Sequence, residues 1–309
     1  VCGIAGIIYR NGAGQEHVGR DMTRMLQAMK HRGPDSTGFA LYRGDSDTYV
    51  MHVKLSESTE RDPDLEQRMQ RQRGEVETRM RAAGARIEEI KEAPRTMTVI
   101  FDFDGDLKVL ADAVERVRHT EVLSLGRSLE IIKDLGDAET VSGGYHLDGF
   151  TGTHAIGHAR MATESDVDIA NAHPYWAYPF PDVAVVHNGQ LTNFHDWRRR
   201  LTRAGHRFQS ECDSEIIAVY LAEQMSQGLT LEEAMHKSLD DLDGVFTYVC
   251  VTEDSLGVAK DELGAKPLVL YEDDDLVALA SEEIAIRQVL DREIETHDPY
   301  EGEVRVWTR

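Results

Sequence analysis

The chain has 309 residues, 41% of them hydrophobic and 29% charged, enough apolar material for a sizeable core and length for two domains or one enlarged one. Its 34 Lys and Arg against 56 Asp and Glu give a net charge of −22, which argues against nucleic acid or an anionic membrane as the main partner. No run approaches the roughly 18 apolar residues of a membrane helix, and the start Val1-Cys2-Gly3-Ile4-Ala5-Gly6 lacks a secretory pattern, so a soluble cytoplasmic protein is expected.

Residues 2–9 form an apolar run with Gly and Ile that predicts a buried strand. A helix is expected over 15–31, with Val18, Met22, Met25, Leu26 and Met29 at helical spacing, ending in the turn Arg32-Gly33-Pro34-Asp35-Ser36. Phe39 to Val53 alternates as a hairpin around Gly44 would. From Asp62 to Glu92 the chain is dense in Arg and Glu, with Leu65, Met69, Val76, Met80, Ile87 and Ile90 as sparse apolar positions. That texture predicts a solvated amphipathic helix or helix pair broken near Gly84. A strand (96–103), a helix (107–118) and a strand-helix portion (122–135) follow.

Strands return at 153–159, 183–187, 245–252, 255–260, 268–271 and 276–281. Helices are expected at 193–204, 213–227 and 230–241, the last opened by the cap-like Thr230-Leu231-Glu232-Glu233. Segments of about 2–55 and 151–309 thus read as one discontinuous α+β domain, and 56–150 as a small inserted α/β lobe.

The three cysteines, Cys2, Cys212 and Cys250, are too far apart for a disulfide framework or a zinc knuckle. Cys2 stands apart from the other two. A cysteine at a chain terminus can use its own α-amine as base, because amine and thiol titrate close together. Three further clusters carry chemistry. Arg160, in His158-Ala159-Arg160-Met161-Ala162-Thr163 at a strand end, offers a planar fork to a carboxylate. Asn188 and Gly189, in His187-Asn188-Gly189, offer two donors for an oxyanion. Asp213, in Ser210-Glu211-Cys212-Asp213-Ser214-Glu215, offers a carboxylate to an ammonium group. Each alone has a plain alternative: a buried cysteine, a surface ion pair, an Asn-Gly turn, a helix cap.

Together and in this order they resemble the class II glutamine amidotransferase domain, an N-terminal-nucleophile hydrolase. The matching stretches are Cys2–Gly6, His31-Arg32-Gly33-Pro34-Asp35-Ser36, His158–Thr163, Asn171-Ala172-His173-Pro174, His187–Gly189 and Ser210–Glu215. The resemblance implies a four-layer α/β/β/α sandwich. It implies Cys2 as nucleophile, Asn188 and Gly189 as oxyanion donors, Arg160 and Asp213 as ligands of the glutamine α-carboxylate and α-ammonium, Thr163 and His173 as pocket walls, and Arg32 as support for the catalytic strand end. Ser124–Lys133 is similar to a loop of the separate amidotransferase subunit of glutamate synthase, and the N-methylglutamate synthase subunit looks comparably close. On that likeness glutamine is the substrate. A synthase partner would then carry flavin mononucleotide and iron–sulfur centres, and no cofactor or metal would sit in this chain. An acylated Cys2 nitrogen is not basic, so the mechanism requires Val1 to be absent from the active protein. A fold-retaining, catalytically silent subunit is the alternative.

Two other patterns are set aside. Val99–Leu107 approaches the Asp-x-Asp-Gly-Thr motif of haloacid-dehalogenase-type phosphatases, but Asp106 stands where Thr belongs, so an acidic turn after a strand is expected. His154 and His158 fall on a predicted strand rather than a helix, so their four-residue spacing does not make a metal face.

Overall fold

The computed structural model describes residues 2–10, 17–57, 59–161 and 169–309. Two antiparallel sheets face each other. The first runs in the order β13 (Val269–Glu272), β14 (Leu276–Ala280), β1 (Gly3–Tyr9), β8 (His154–Arg160), β2 (Ser36–Tyr42), β7 (Leu129–Leu135). The second runs β15 (Val304–Thr308), β12 (Ser255–Lys260), β11 (Gly244–Val251), β10 (Ala184–Leu191), β9 (Tyr175–Trp176).

β1 shows why its sequence reads as one apolar run. Ile4 and Ile8 point between the sheets, where they share a core with Val186, Val249 and Val258 of the second sheet. Ala5, Ile7 and Tyr9 point the other way, into a core with Met22, Met25 and Leu26 of α1 (Val18–Ala28) and Val141 of α4 (Ala138–Tyr145). A strand covered on both faces has no solvent side to alternate with. On the outer face of the second sheet lie α5 (Phe194–Arg203), α6 (Asp213–Ser226) and α7 (Leu231–Asp241). α6 is buried almost all round, from Ile216 to Ala222, because it sits between its neighbouring helices and the sheet. α7 opens with a full capping box between Thr230 and Glu233. Helix, sheet, sheet, helix is the four-layer α+β sandwich that the resemblance implies.

A third sheet, in the order β4 (Arg86–Glu92), β5 (Thr96–Asp102), β3 (Tyr49–Lys54), β6 (Glu121–Gly126), forms the lobe with α2 (Leu65–Ala82) and α3 (Leu107–Glu115). Pairing draws this lobe differently from 56–150. β2 is bonded on both sides, to β7 and β8, so no edge is left for β3, and the expected hairpin around Gly44 does not form. β3 lies inside the lobe sheet instead. At the other end, β7 is a strand rather than the expected helix, and with α4 it belongs to the sandwich. Ile87 and Ile90, spaced as on a helix, lie on β4. A bulge between Ile87 and Glu89 resets the alternation, so both pack against the lobe core. α2 ends as expected, with Gly84 at φ +101° just beyond it. The acidic run resolves into structure: Asp102 and Asp104 pair with Arg86, and Asp106 caps α3. No helix among the described residues is long and apolar enough to cross a membrane. A four-residue helix, α8 (Glu283–Ile286), follows β14.

Candidate active site

Cys2 stands immediately before β1. The antiparallel register that sets Gly3 opposite Ala159 and Ile4 opposite His158 brings the start of β1 to the end of β8, where Arg160 lies. From the facing sheet, β10 supplies His187, Asn188 and Gly189, and the first turn of α6 supplies Asp213 and Ser214. These residues line one cleft of about 340 Å³ together with Cys2, His158, Arg160, Asn171, His173, Glu211 and Cys212. A second cavity of about 380 Å³ meets the first at Cys2, Asn188 and Gly189 and continues past Met161, Gln190, Val245 and Lys266.

The Cys2 backbone is held from two sides. Its carbonyl accepts a hydrogen bond from Arg32 Nε at 3.1 Å and another from Asn188 Nδ2 at 3.1 Å. Arg32 is itself held by Glu282, Nη1 to Oε1 at 2.6 Å, and His31 meets the same carboxylate at 3.1 Å. Burial pushes the Glu282 carboxyl up, but bonds from Arg32 and His31 outweigh it and hold the group below its usual range. Two residues further along, Ile4 exchanges two bonds with Ser281: its N–H donates to Oγ at 2.9 Å and its carbonyl accepts from the Ser281 N–H at 2.9 Å.

Gly189 has φ +139°, and a Cβ there would lie 2.0 Å from the Val245 carbonyl oxygen, so only glycine fits at this step of β10. Asp213 is the first residue of α6. Its Oδ2 accepts the Leu191 N–H at 2.8 Å, which orients Oδ1 beside Ser214 Oγ at 3.3 Å.

Three imidazoles floor the cleft. His158 and His173 lie with ring centroids 4.1 Å apart and planes tilted by 33°, and His187 meets His173 edge-on at 6.4 Å. His187 Nδ1 is 2.8 Å from Ser214 Oγ. Burial drives all three down: His158 to about 3, His187 to about 4, and His173 well below the ordinary histidine range. All three are therefore neutral at physiological pH. Among the described residues no group of three or more His, Cys, Asp or Glu is placed to hold a metal ion.

The chain is 39% identical to a putative glutamine amidotransferase of Methanothermobacter thermautotrophicus over 316 aligned positions, covering 99% of each protein. It belongs to the glutamine amidotransferase family. A glutamine amidotransferase domain profile matches residues 158–288. The glutamine amidotransferase-like protein GlxB of Rhizobium meliloti is 33% identical over 95% of this chain and 93% of its own length. In fold the chain is similar to the glutamine phosphoribosylpyrophosphate amidotransferase of B. subtilis, with a TM-score of 0.62 at 20% identity over 99% of this chain. An allosteric regulatory enzyme of purine biosynthesis aligns with a TM-score of 0.63 at 21% identity. The chain spans 47% of each of those two longer chains. At that identity these two likenesses concern the fold.

Of the residues singled out in the sequence, Cys2, Arg160, His173, Asn188, Gly189 and Asp213 line the same cleft, and Arg32 bonds the Cys2 carbonyl from behind. Thr163 lies outside the described residues. Sequence reasoning assigned no role to Ser281 and Glu282, which fix Ile4 and Arg32, because nothing in their local pattern differs from a strand end. His158 and His187 stood within quoted motifs but carried no role. His154, by contrast, stacks on Tyr42 and bonds the Thr252 carbonyl at 2.8 Å, a structural position outside the cleft lining.

Proposed function

We propose that this amidotransferase, with Cys2 as its first residue, hydrolyses the side-chain amide of glutamine and passes ammonia to a separate synthase subunit. The observation that carries the reading is the bond between Asn188 Nδ2 and the Cys2 carbonyl, inside a cleft that also holds Arg160 and Asp213. Arg160 takes the substrate α-carboxylate and Asp213 Oδ1 the α-ammonium, while His173 walls the pocket. By resemblance, Thr163 completes that wall.

Cys2 Sγ attacks the amide carbon as its proton moves to the Cys2 α-amine. The resulting oxyanion is met by the second N–H of Asn188 and by the Gly189 N–H. The amine returns the proton to the departing nitrogen, the C–N bond breaks, and ammonia leaves a γ-glutamyl thioester. Water then attacks that thioester, giving up a proton through the same amine, and glutamate departs as the thiol re-forms. Burial leaves the imidazoles of the cleft only weakly basic, and the resemblance gives the role of base to the α-amine.

The likeness of Ser124–Lys133 to the glutamate synthase loop supports a partner of glutamate synthase or N-methylglutamate synthase type, bearing flavin mononucleotide and iron–sulfur centres. A thiol nucleophile suits a reducing, cytoplasmic setting. Intact mass before and after exposure to a glutamine-mimicking diazoketone tests the proposal. One adduct mapped to Cys2, on a chain that begins at Cys2, is expected. An adduct on a chain with residue 1 attached would exclude the α-amine as base. No adduct on the trimmed chain, alone or with its synthase, would favour the silent subunit.

A further inference from the structure

The Cys2 carbonyl oxygen can only accept hydrogen bonds, so the end of the Asn188 amide 3.1 Å from it must be Nδ2. Its Oδ1 then faces His158 Nε2 at 3.2 Å. An amide oxygen also only accepts, so His158 carries its proton on Nε2 and its Nδ1 is bare. We propose that His158 is the positioning residue of the oxyanion hole: its Nε2–H fixes which end of the Asn188 amide faces the nucleophile. The inference rests on the functional reading above.

The alternative orientation is excluded twice over. Turning the amide would set Oδ1 against the Cys2 carbonyl and the NH₂ group against Nε2–H, two contacts between like groups. Were Nε2 bare instead, it would accept from the turned amide and hold it in the dead orientation, with an oxygen facing the developing negative charge. Tautomer and amide orientation are therefore one choice, and only the Nε2–H form builds the hole.

The ring is placed to hold that choice. His158 is 1% exposed, sits on β8 opposite Ile4 on one side and Gly38 on the other, and lies 4.1 Å, centroid to centroid, from the tilted ring of His173. Its Nδ1 has no partner among the described residues. Burial keeps the imidazole neutral, with a single proton to place.

The test uses the chain beginning at Cys2, with glutaminase kinetics and thermal midpoints for wild type, His158→Phe, His158→Gln, His158→Asn, Asn188→Ala and the Phe/Ala double variant. His158→Phe is expected to lower kcat about 10²-fold, comparable to losing an oxyanion donor, with KM for glutamine within about threefold. The double variant should be no more than about twofold worse than Asn188→Ala, because His158 acts through Asn188. His158→Gln, whose amide nitrogen reaches the Nε2 position, should be at least about tenfold faster than His158→Asn, whose nitrogen stops near Nδ1. That last pair decides the matter even if the Phe variant fails to fold. Equal rates for the Gln and Asn variants, or losses that multiply in the double variant, would overturn the inference. A wild-type chain without glutaminase activity or diazoketone adduct would overturn the functional reading, and this one with it.

Discussion

Arg32 does not line the cleft, yet it governs where Cys2 sits. Its Nε donates to the Cys2 carbonyl and its Nη1 to Glu282, whose side chain is 31% exposed while that of Arg32 is 13% exposed. A charge-assisted pair of this kind holds the guanidinium in one plane, and without it the fork is free to turn off the carbonyl. Cys2 has no residue before it in the proposed active form, so its carbonyl is the main point at which the backbone can be gripped. Glu282→Gln is expected to lower kcat by about tenfold and Arg32→Met by about a hundredfold, since misplacing a reacting group by an ångström costs on that order. Steady-state kinetics with glutamine check this, and a change confined to KM would place both residues in substrate binding instead.

At the scale of elements, close backbone approach shapes the cleft as much as side chains do. A Cβ on Gly38 of β2 would lie 1.9 Å from the His173 carbonyl oxygen and 2.8 Å from Pro174 Cδ, so the loop bearing His173 rests directly on this strand. Lys133 of β7 secures the same loop, donating to the Ala172 carbonyl at 3.0 Å. Gly38→Ala should destabilise the fold by about 1–3 kcal/mol and raise KM for glutamine, because the loop must lift and carry Asn171 and His173 with it. Denaturant unfolding and kinetics read the two effects, and an unchanged KM would separate the loop from substrate binding. The sequence announced the chemistry better than the scaffolding around it. Cys2, Arg160, Asn188 and Asp213 are legible because their motifs occur together and in one order, although each alone has a plain alternative. The partners that hold them in place were not. Gly38 looks like any strand glycine, and Ser281 and Glu282 reach Ile4 and Arg32 across about 250 residues of chain or more. The place of β3 in the lobe depended on β2 being paired on both sides, a tertiary fact that local alternation does not contain.

Across the whole molecule, one buried carboxylate ties the lobe to the sandwich. Asp182 accepts the N–H groups of Arg127, Ser128 and Leu129 at 2.8, 2.8 and 2.9 Å, in the turn that carries the chain from β6 of the lobe to β7 of the first sheet. A Cβ on Gly126 would meet its Oδ1 at 2.1 Å, which gives the Gly-Arg-Ser stretch a physical reason. Around this frame lie five buried histidines. His52, His154, His158, His173 and His187 are all pushed down by burial, His154 to about 4 and His158 to about 3. Unfolding returns each to an ordinary value near 6.5, so below that pH the unfolded chain binds more protons than the folded one. Their contribution to stability is full above about pH 6.5 and is lost as pH falls toward the folded values. Between pH 7 and 5.5 the loss is about 1.3 kcal/mol for each histidine that stays neutral in the folded chain. Most of the 56 acidic residues take up protons below this window, while Asp182, Glu215 and Glu253, pushed up by burial, offset part of the loss. Denaturant unfolding at pH 7 and 5.5 should show that loss, and His154→Gln, remote from the cleft, should reduce it by about one histidine's share. A loss under about 1 kcal/mol would mean that these imidazoles take up protons while the chain is still folded, and the neutral floor beneath Cys2 would have to be abandoned.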